Sequence, residues 1–327
     1  MRCPLVSIVI NFHNEIENVD MAPLALTKQN YQNFEVIFVD DGSTENTLNL
    51  ILKKYQSKLP KIKLLCNAFP VGLRKARNQG VRVARGEIII TLDLHTTFDE
   101  SFIKRIVSAF ATHNDVAAVG ALILPYGDRW FHYGFGTLNR VILSFRRLFR
   151  NYHFVFGTAA AYRADVLDKI GYLSEGEIVE DVDASWKIRK EGYTILTLED
   201  NIVLHKGPQS FKKFLKTFIR DGIRLALLLR KYKRKIIYPQ SFLRISVVPL
   251  LILFLLFFPF YTVSIICGIA LFLLLLGYVV SKQLKNAFSF LIISIIYMII
   301  ISLSTNLGFL LSIMGKVDAI KKHGLEW

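Results

Sequence analysis

A chain of 327 residues that is 52% hydrophobic and carries a formal net charge of +15 has room for one large domain or two smaller ones. The composition excludes an ordinary soluble protein, because the apolar residues are unevenly placed: residues 247–280 and 287–315 contain no charged side chain. Three scattered cysteines, Cys3, Cys66 and Cys267, suggest neither a disulfide framework nor a zinc site.

The N-terminal stretch "MRCPLVSIVINFHNE" has too short an apolar run for a signal peptide, so the polar part of the chain is expected to stay in the cytoplasm. Over the first 125 residues, near-continuous apolar runs at 5–10, 34–40, 62–65, 87–93 and 116–124 are predicted strands. Such runs fit a parallel sheet covered on both faces. Helical patterns lie between them, at Thr44–Gln56, Val71–Ala84 and Asp99–Thr112. Strand–helix alternation is the mark of an open α/β fold, in which ligands bind beyond the carboxyl ends of the strands. Asp40 and Asp41 end the second strand and Asp93 ends the fourth, so acids at two strand ends point to one crevice.

Residues 126–156 mix aromatics with Arg140, Arg146, Arg147 and Arg150. The piece Leu138–Phe149 reads either as a basic amphipathic helix on a membrane surface or as a solvated helix packed on the head. Between Lys212 and Lys235 the chain carries ten Lys or Arg and a single acid, Asp221. Basic residues beside a membrane gain about 1 kcal/mol each from anionic headgroups, and they set the head on the cytoplasmic side of the cell membrane. Nucleic acid is the weaker explanation for this charge, since the basic run leads straight into apolar sequence. As one helix, 247–280 would be roughly 51 Å long, against a hydrocarbon core of roughly 30 Å. Pro259 marks a natural break, so two short or tilted spans are expected there and a third at about 287–313. Residues 281–286 would then lie inside and 316–327 outside; two spans would reverse both.

The stretches "VSIVINFHNE", "FEVIFVDDGSTENT" and "VGLRKARNQGVRVARGEIIITLDLHTTFDESFI" resemble, in order and spacing, the family 2 glycosyltransferases. The resemblance runs on through "VFGTAAAYRADVLDKIGYLSEGEIVEDVDASWKIRKEGYTILTLEDNIVLHKG" and covers about residues 5–210. It implies a GT-A fold, a Rossmann-like mixed sheet, over residues 1–210. Basic juxtamembrane helices would follow at 211–244, transmembrane helices at 245–315 and a short polar tail at 316–327.

What the resemblance implies for the site is specific. Asp40 sits where the family binds uracil. Asn11, His13 and Glu15 at the first strand exit, with Asp41, Arg77, Asn78 and Asp93, fall on the donor side. His13 stands in place of a tyrosine that commonly stacks on the base, a role an imidazole can also fill. The family's D-x-D motif, which holds a divalent cation against the diphosphate, reads Asp93-Leu94-His95 here. Residues two apart in an extended segment face the same side, and carboxylate plus imidazole suits Mn²⁺ better than Mg²⁺. His205 is a candidate further ligand. Asp181 aligns with the catalytic base, with Glu180 as its helper and Asp183 as a helix-start acid; Gly157 and Thr158 fall on the acceptor side. The Q-x-x-R-W motif of processive polysaccharide synthases is missing from "QSFKKFLKTFIRDGIR". Arg220 and Arg224 either reach the diphosphate or face lipid and solvent.

The implied function is a membrane-anchored inverting glycosyltransferase. It would move a sugar from a nucleotide-diphosphate sugar, by preference UDP-linked, to a hydroxyl of a membrane-associated, lipid-linked glycan in cell-envelope polysaccharide or glycoconjugate synthesis. Two alternatives stay open: transfer to a polyprenyl or dolichyl phosphate, and a non-catalytic membrane protein with a nucleotide-binding head.

Overall fold

Each apolar run forms a strand: β1 (Val6–Phe12), β2 (Phe34–Asp40), β3 (Ile62–Cys66), β4 (Ile88–Asp93) and, after the three-residue β5 (Thr96–Phe98), β6 (Val116–Pro125). The computed structural model describes residues 3–148, 155, 157–175, 180–231 and 259–313. With β7 (Ala159–Arg163) and β8 (Thr194–His205) the strands build one eight-stranded sheet in the order β3-β2-β1-β4-β7-β6-β8-β5. Strands β1 to β4 pair in parallel, but β7 runs antiparallel to both β4 and β6. The sheet is therefore mixed, as the family resemblance implies and the apolar runs alone did not indicate. An apolar run reports burial on two faces, which "AAAYR" of β7 shares; it carries no signal for strand direction.

Register decides where the strands stop. Asn11 pairs with Asp93, and Phe12 pairs with Asp40, so the acids at the ends of β2 and β4 leave the sheet along one edge. Both faces are covered. Ile8, Ile10, Phe38 and Ile90 pack beneath α1 (Ala22–Thr27), α2 (Thr47–Tyr55) and α4 (Phe102–Thr112). On the other face Val9, Ile37, Ile89 and Ala160 meet α3 (Leu73–Val83), α6 (Ala164–Lys169) and α7 (Glu180–Lys190).

The turn after β2 depends on Gly42. Its φ is +67°, and a Cβ there would lie 2.6 Å from the Phe69 carbonyl carbon and 2.7 Å from the Pro70 nitrogen. Left-handed strain and overpacking against main chain act together, so Gly42→Ala should lower stability by about 2–4 kcal/mol. Chemical denaturation followed by near-UV circular dichroism checks this; an unchanged midpoint would show that the 67–70 loop can move aside.

The remaining helices form a second layer. The helix expected at Leu138–Phe149 starts eight residues earlier, as α5 (Trp130–Leu148), and is followed by α8 (Phe211–Lys231), α9 (Pro259–Ser281) and α10 (Leu284–Ile313). Phe131 and Leu138 of α5, Phe214 and Phe218 of α8, and Phe290 and Ile293 of α10 form one buried cluster. The apolar face of α5 is thus packed against protein, between α8 and the tail. Residues 232–258 and 314–327, which include the end of the juxtamembrane stretch, most of the first expected span and the polar tail, lie outside the described residues. Among the described residues no helix is long and apolar enough to cross a membrane. Helices α9 and α10 nonetheless turn Leu271, Phe272, Leu275, Val279 and Leu303 outward, each more than half exposed.

Candidate active site

Three segments meet at the sheet edge: the strand exits of β1, β2 and β4, the loop leading into α3, and the first turn of α7. Asp41 holds the second of these in place. Its carboxylate, 1% exposed, accepts the backbone N–H of Val71 at 2.8 Å and of Gly72 at 2.9 Å, together with Asn67 Nδ2 at 3.0 Å. The neighbouring Asp40 accepts Ser43 N–H at 2.9 Å. His13 Nδ1 lies 2.8 Å from the Asp41 carbonyl oxygen, and Asn14 Oδ1 accepts the N–H groups of Thr44 and Glu45. Asn78 is buried and donates to Leu173 O at 2.7 Å and Glu175 Oε1 at 3.0 Å. Of the expected donor-side residues, Asp41 and Asn78 therefore brace the crevice from behind. They, Asp40 and His13 lie outside the linings of the two cavities described below.

Arg77, projecting from α3 and 8% exposed, is the crossbeam. Its Nε donates to Asn11 Oδ1 at 3.1 Å and one terminal nitrogen to Asp93 Oδ1 at 2.8 Å; the other donates to Glu180 Oε1. Sequence reasoning expected this cation to meet the donor, whereas the structure turns it onto two carboxylates from distant segments. Glu180 is committed to it, with Arg74 Nε 3.7 Å from its second oxygen.

Asp93 and His95 are joined by His205 from the far end of the sheet. Pairing of β5 with β8 sets Thr96 opposite His205, and Lys206 N–H donates to the His95 carbonyl at 2.9 Å. His95 Nε2 then lies 2.9 Å from His205 Nε2, and His205 Nε2 lies 3.6 Å from Asp93 Oδ2. One ligand atom from each residue falls within 4.8 Å of the others. Two imidazole nitrogens facing each other must share a proton or a cation. Metal–nitrogen bonds near 2.1 Å at right angles put the nitrogens about 3 Å apart, so the set fits a divalent cation with little rearrangement. Burial alone would raise the Asp93 pKa, but His205, Arg77 and His95 outweigh it and hold the carboxylate far below its ordinary range.

Behind the pair, His95 Nδ1 is 2.7 Å from Glu15 Oε2, which also accepts Asn18 Nδ2 at 3.1 Å. A carboxylate partner fixes the proton on Nδ1 and leaves the Nε2 lone pair free for metal. Burial would lower the His95 pKa, yet the Glu15 bond and Asp93 raise it. Glu15→Ala should therefore weaken Mn²⁺ binding by about 10–100-fold, measured by electron paramagnetic resonance titration in the absence of substrate. Unchanged affinity would mean that the ring is held by its packing alone.

Asp181 lies in the first turn of α7, where acids also favour the helix dipole. Its two oxygens accept Gly157 N–H at 3.2 Å and Val182 N–H at 2.8 Å. Burial raises its pKa despite those two bonds, which makes it a stronger base than an ordinary aspartate. Asp183 is fully buried and paired with Lys187 at 3.1 Å, a structural role. At Gly157 a Cβ would crowd Arg77 at 3.0 Å and Glu180 at 3.2 Å, so the acceptor-side glycine is needed for the crossbeam itself. Thr158 donates no contact to it but accepts Asp93 N–H through its carbonyl at 3.2 Å.

Two cavities meet here. One, of about 350 Å³, is bordered by Asn11, Glu15, Asp93 and His95. The other, of about 420 Å³, is bordered by Asp93, Gly157, Thr158, Asp181 and His205. Arg74, Arg77, Asp93, Glu180, Arg220 and Arg224 line both, and Asp93 and Asp181 open onto one space. The second cavity is walled by Phe135, Phe214, Phe218 and Tyr297, which sequence reasoning did not place at the site. Their sequence signal is helical spacing of aromatics at Phe131 and Phe135 of α5 and at Phe211, Phe214 and Phe218 of α8; Tyr297 of α10 has no such signal.

The sequence profile described as glycosyl transferase family 2 matches residues 7–171. An uncharacterized glycosyltransferase of Haemophilus influenzae is 30% identical over 123 residues, 37% of this chain and 38% of its own length. Glycosyltransferase AglE of Haloferax volcanii is 25% identical over 228 residues, 67% of this chain and 72% of its own. WfgD of Escherichia coli, a UDP-Glc:alpha-D-GlcNAc-diphosphoundecaprenol beta-1,3-glucosyltransferase, is 35% identical over 89 residues, 27% and 34% of the two chains. The matches span 33–38% of the length of four curated glycosyltransferases. Among solved structures, the mannosyltransferase PcManGT of Pyrobaculum calidifontis, in complex with GDP-Man and Mn²⁺, superposes with a TM-score of 0.68 at 17% identity, over 93% of this chain and 88% of that one. S. aureus TarS in complex with UDP-GlcNAc gives 0.50 at 18% identity, over 68% and 65%. A profile that matches half of the length, on a fold shared with a solved mannosyltransferase, makes this chain a member of glycosyl transferase family 2.

Proposed function

We propose that the chain is an inverting glycosyltransferase that moves a sugar from a nucleotide-diphosphate sugar, UDP-linked by preference, to a hydroxyl of a membrane-associated, lipid-linked acceptor. The observation that carries this reading is the opening of Asp93 and Asp181 onto one cavity, with the cation-ligand set on one side and a buried base on the other. Asp181 takes the proton of the acceptor hydroxyl as that oxygen forms its bond to the anomeric carbon. The bond from that carbon to the nucleotide diphosphate breaks on the opposite face, so the configuration inverts, and the proton remains on Asp181. Arg77 holds Asp93 and Glu180 in register between the two halves. A divalent cation bound by Asp93, His95 and His205 would supply charge neutralisation at the leaving diphosphate.

The relatives support each part separately. WfgD is named for transfer from UDP-Glc to a diphosphoundecaprenol-linked sugar, PcManGT binds GDP-Man with Mn²⁺, and TarS binds UDP-GlcNAc. The outward apolar side chains of α9 and α10, the lack of any charged residue in α9 and the basic α8 support a tail held in the cell membrane with the head on the cytoplasmic face. Membranes containing the full chain, supplied with UDP- and GDP-sugars in Mn²⁺ or Mg²⁺, should transfer one sugar to extractable lipid, fastest with a UDP-sugar and Mn²⁺. Nucleotide binding without turnover across the whole panel would sink this reading and leave a binding head.

A further inference from the structure

The second cavity has two unlike ends. At one end the aromatic wall is continuous: Phe214 and Phe218 have ring centroids 4.7 Å apart, Phe135 lies 5.5 Å from Phe214, and Tyr297 lies 4.9 Å from Phe218. These side chains come from α5, α8 and α10, so head and tail build the wall together. At the other end Arg220 and Arg224 stand one turn apart on the same face of α8, with Arg74 across from them on the same lining. Two of the nearby acids are engaged elsewhere: Glu180 by Arg77, and Asp181 by backbone N–H groups. A third acid on the lining, Asp93, is likewise held by Arg77, and the fourth, Asp221, accepts Arg220 Nε at 3.3 Å; Arg74 and Arg220 crowd Arg224 with like charge. Phe135, Phe214, Phe218 and Tyr297 border this cavity and not the first, whereas Arg74, Arg220 and Arg224 border both and so stand where the two meet.

We infer that this cavity binds the lipid end of the acceptor: a hydrocarbon chain lies along Phe135, Phe214, Phe218 and Tyr297, and its phosphate or diphosphate is held by Arg220 and Arg224. The occupant is an amphiphile whose acidic group joins an apolar chain to the sugar that reaches Asp181. This rests on the reading above for what the lipid carries, not for the site itself. Arg224 is half-buried, and its pKa is pulled down to about 9 by burial and by the Arg74 and Arg220 charges. A bound anion would reverse that strain.

The test uses the purified full chain in phosphatidylcholine nanodiscs and three probes: geranylgeranyl monophosphate, geranylgeraniol and inorganic pyrophosphate. UDP binding is followed in parallel to report on the donor side. The monophosphate should bind at least about tenfold more tightly than either the alcohol or pyrophosphate. Thr217 lines only this cavity, so Thr217→Trp should weaken monophosphate binding by about tenfold or more and leave UDP binding within about twofold. Pyrophosphate binding as tightly as the lipid phosphate would overturn the inference and assign the arginines to the donor. So would a folded Thr217→Trp variant with unchanged lipid affinity; if that variant does not fold, the probe order in the unaltered chain decides alone. Lipid-phosphate binding without sugar transfer would sink the glycosyltransferase reading and keep the site. Transfer without lipid-phosphate binding would do the reverse.

Discussion

Asp181→Asn is expected to cut sugar transfer to a hydroxyl acceptor by about 10²–10⁴-fold, the usual range for loss of a general base, while nucleotide-sugar affinity stays within about twofold. The chemistry follows from where the proton goes. A sugar hydroxyl is a poor nucleophile until its proton is accepted, and among the described residues no cation pairs with Asp181, whereas Asp93 and Glu180 are both held by Arg77 and Asp221 by Arg220. The substitution has a local cost, because both oxygens accept backbone N–H groups and the amide would turn a donor toward one of them. Nucleotide binding and circular dichroism separate that cost from lost catalysis.

The pH profile adds a signature that misfolding would not give. Asp181 works deprotonated, so activity falls as pH drops through its pKa. Burial raises that pKa, and the acid limb should therefore lie above the ordinary carboxylate range and vanish in the variant's residual activity. A lipid phosphate acceptor is already anionic and needs no base. Full activity of Asp181→Asn on such a lipid would replace the hydroxyl acceptor with the phosphate.

Much of this site is written into the chain at short range. The apolar strands, the acids that end β2 and β4, and the two-residue step from Asp93 to His95 are all local features, and local features are what periodicity reports. The neighbouring acids Asp40 and Asp41 illustrate the limit: they look alike in sequence, yet burial assigns Asp41 to the loop before α3 and leaves Asp40 at the strand exit. His205 reaches the site only because a three-residue strand pairs antiparallel with β8, and so short a strand carries no periodic signal. Arg77 read as a cation for phosphate because sequence does not show its three acceptors, which arrive from positions 11, 93 and 180. The aromatics of α5 and α8 are visible as helical stripes, but nothing local says that α10 completes their wall.

Chelating divalent cations should stop transfer, with a loss of about 10²–10⁴-fold that Mn²⁺ reverses better than Mg²⁺. The preference follows from the ligands: two imidazoles and one carboxylate are softer than the oxygen shell that Mg²⁺ favours. His95→Asp should then shift the preference. It replaces one nitrogen by oxygen and breaks the Glu15 contact that orients the ring, so Mn²⁺ affinity should fall while the ratio of Mg²⁺- to Mn²⁺-supported rates rises. Asp93→Asn should be more damaging, because it removes the charged ligand and also leaves Arg77 with one carboxylate in place of two. Paramagnetic resonance titration reports the affinity without turnover, and rates in the two metals report the preference. Transfer that continues undiminished in excess chelator would show that Asp93, His95 and His205 serve only to close the edge of the sheet between β5 and β8.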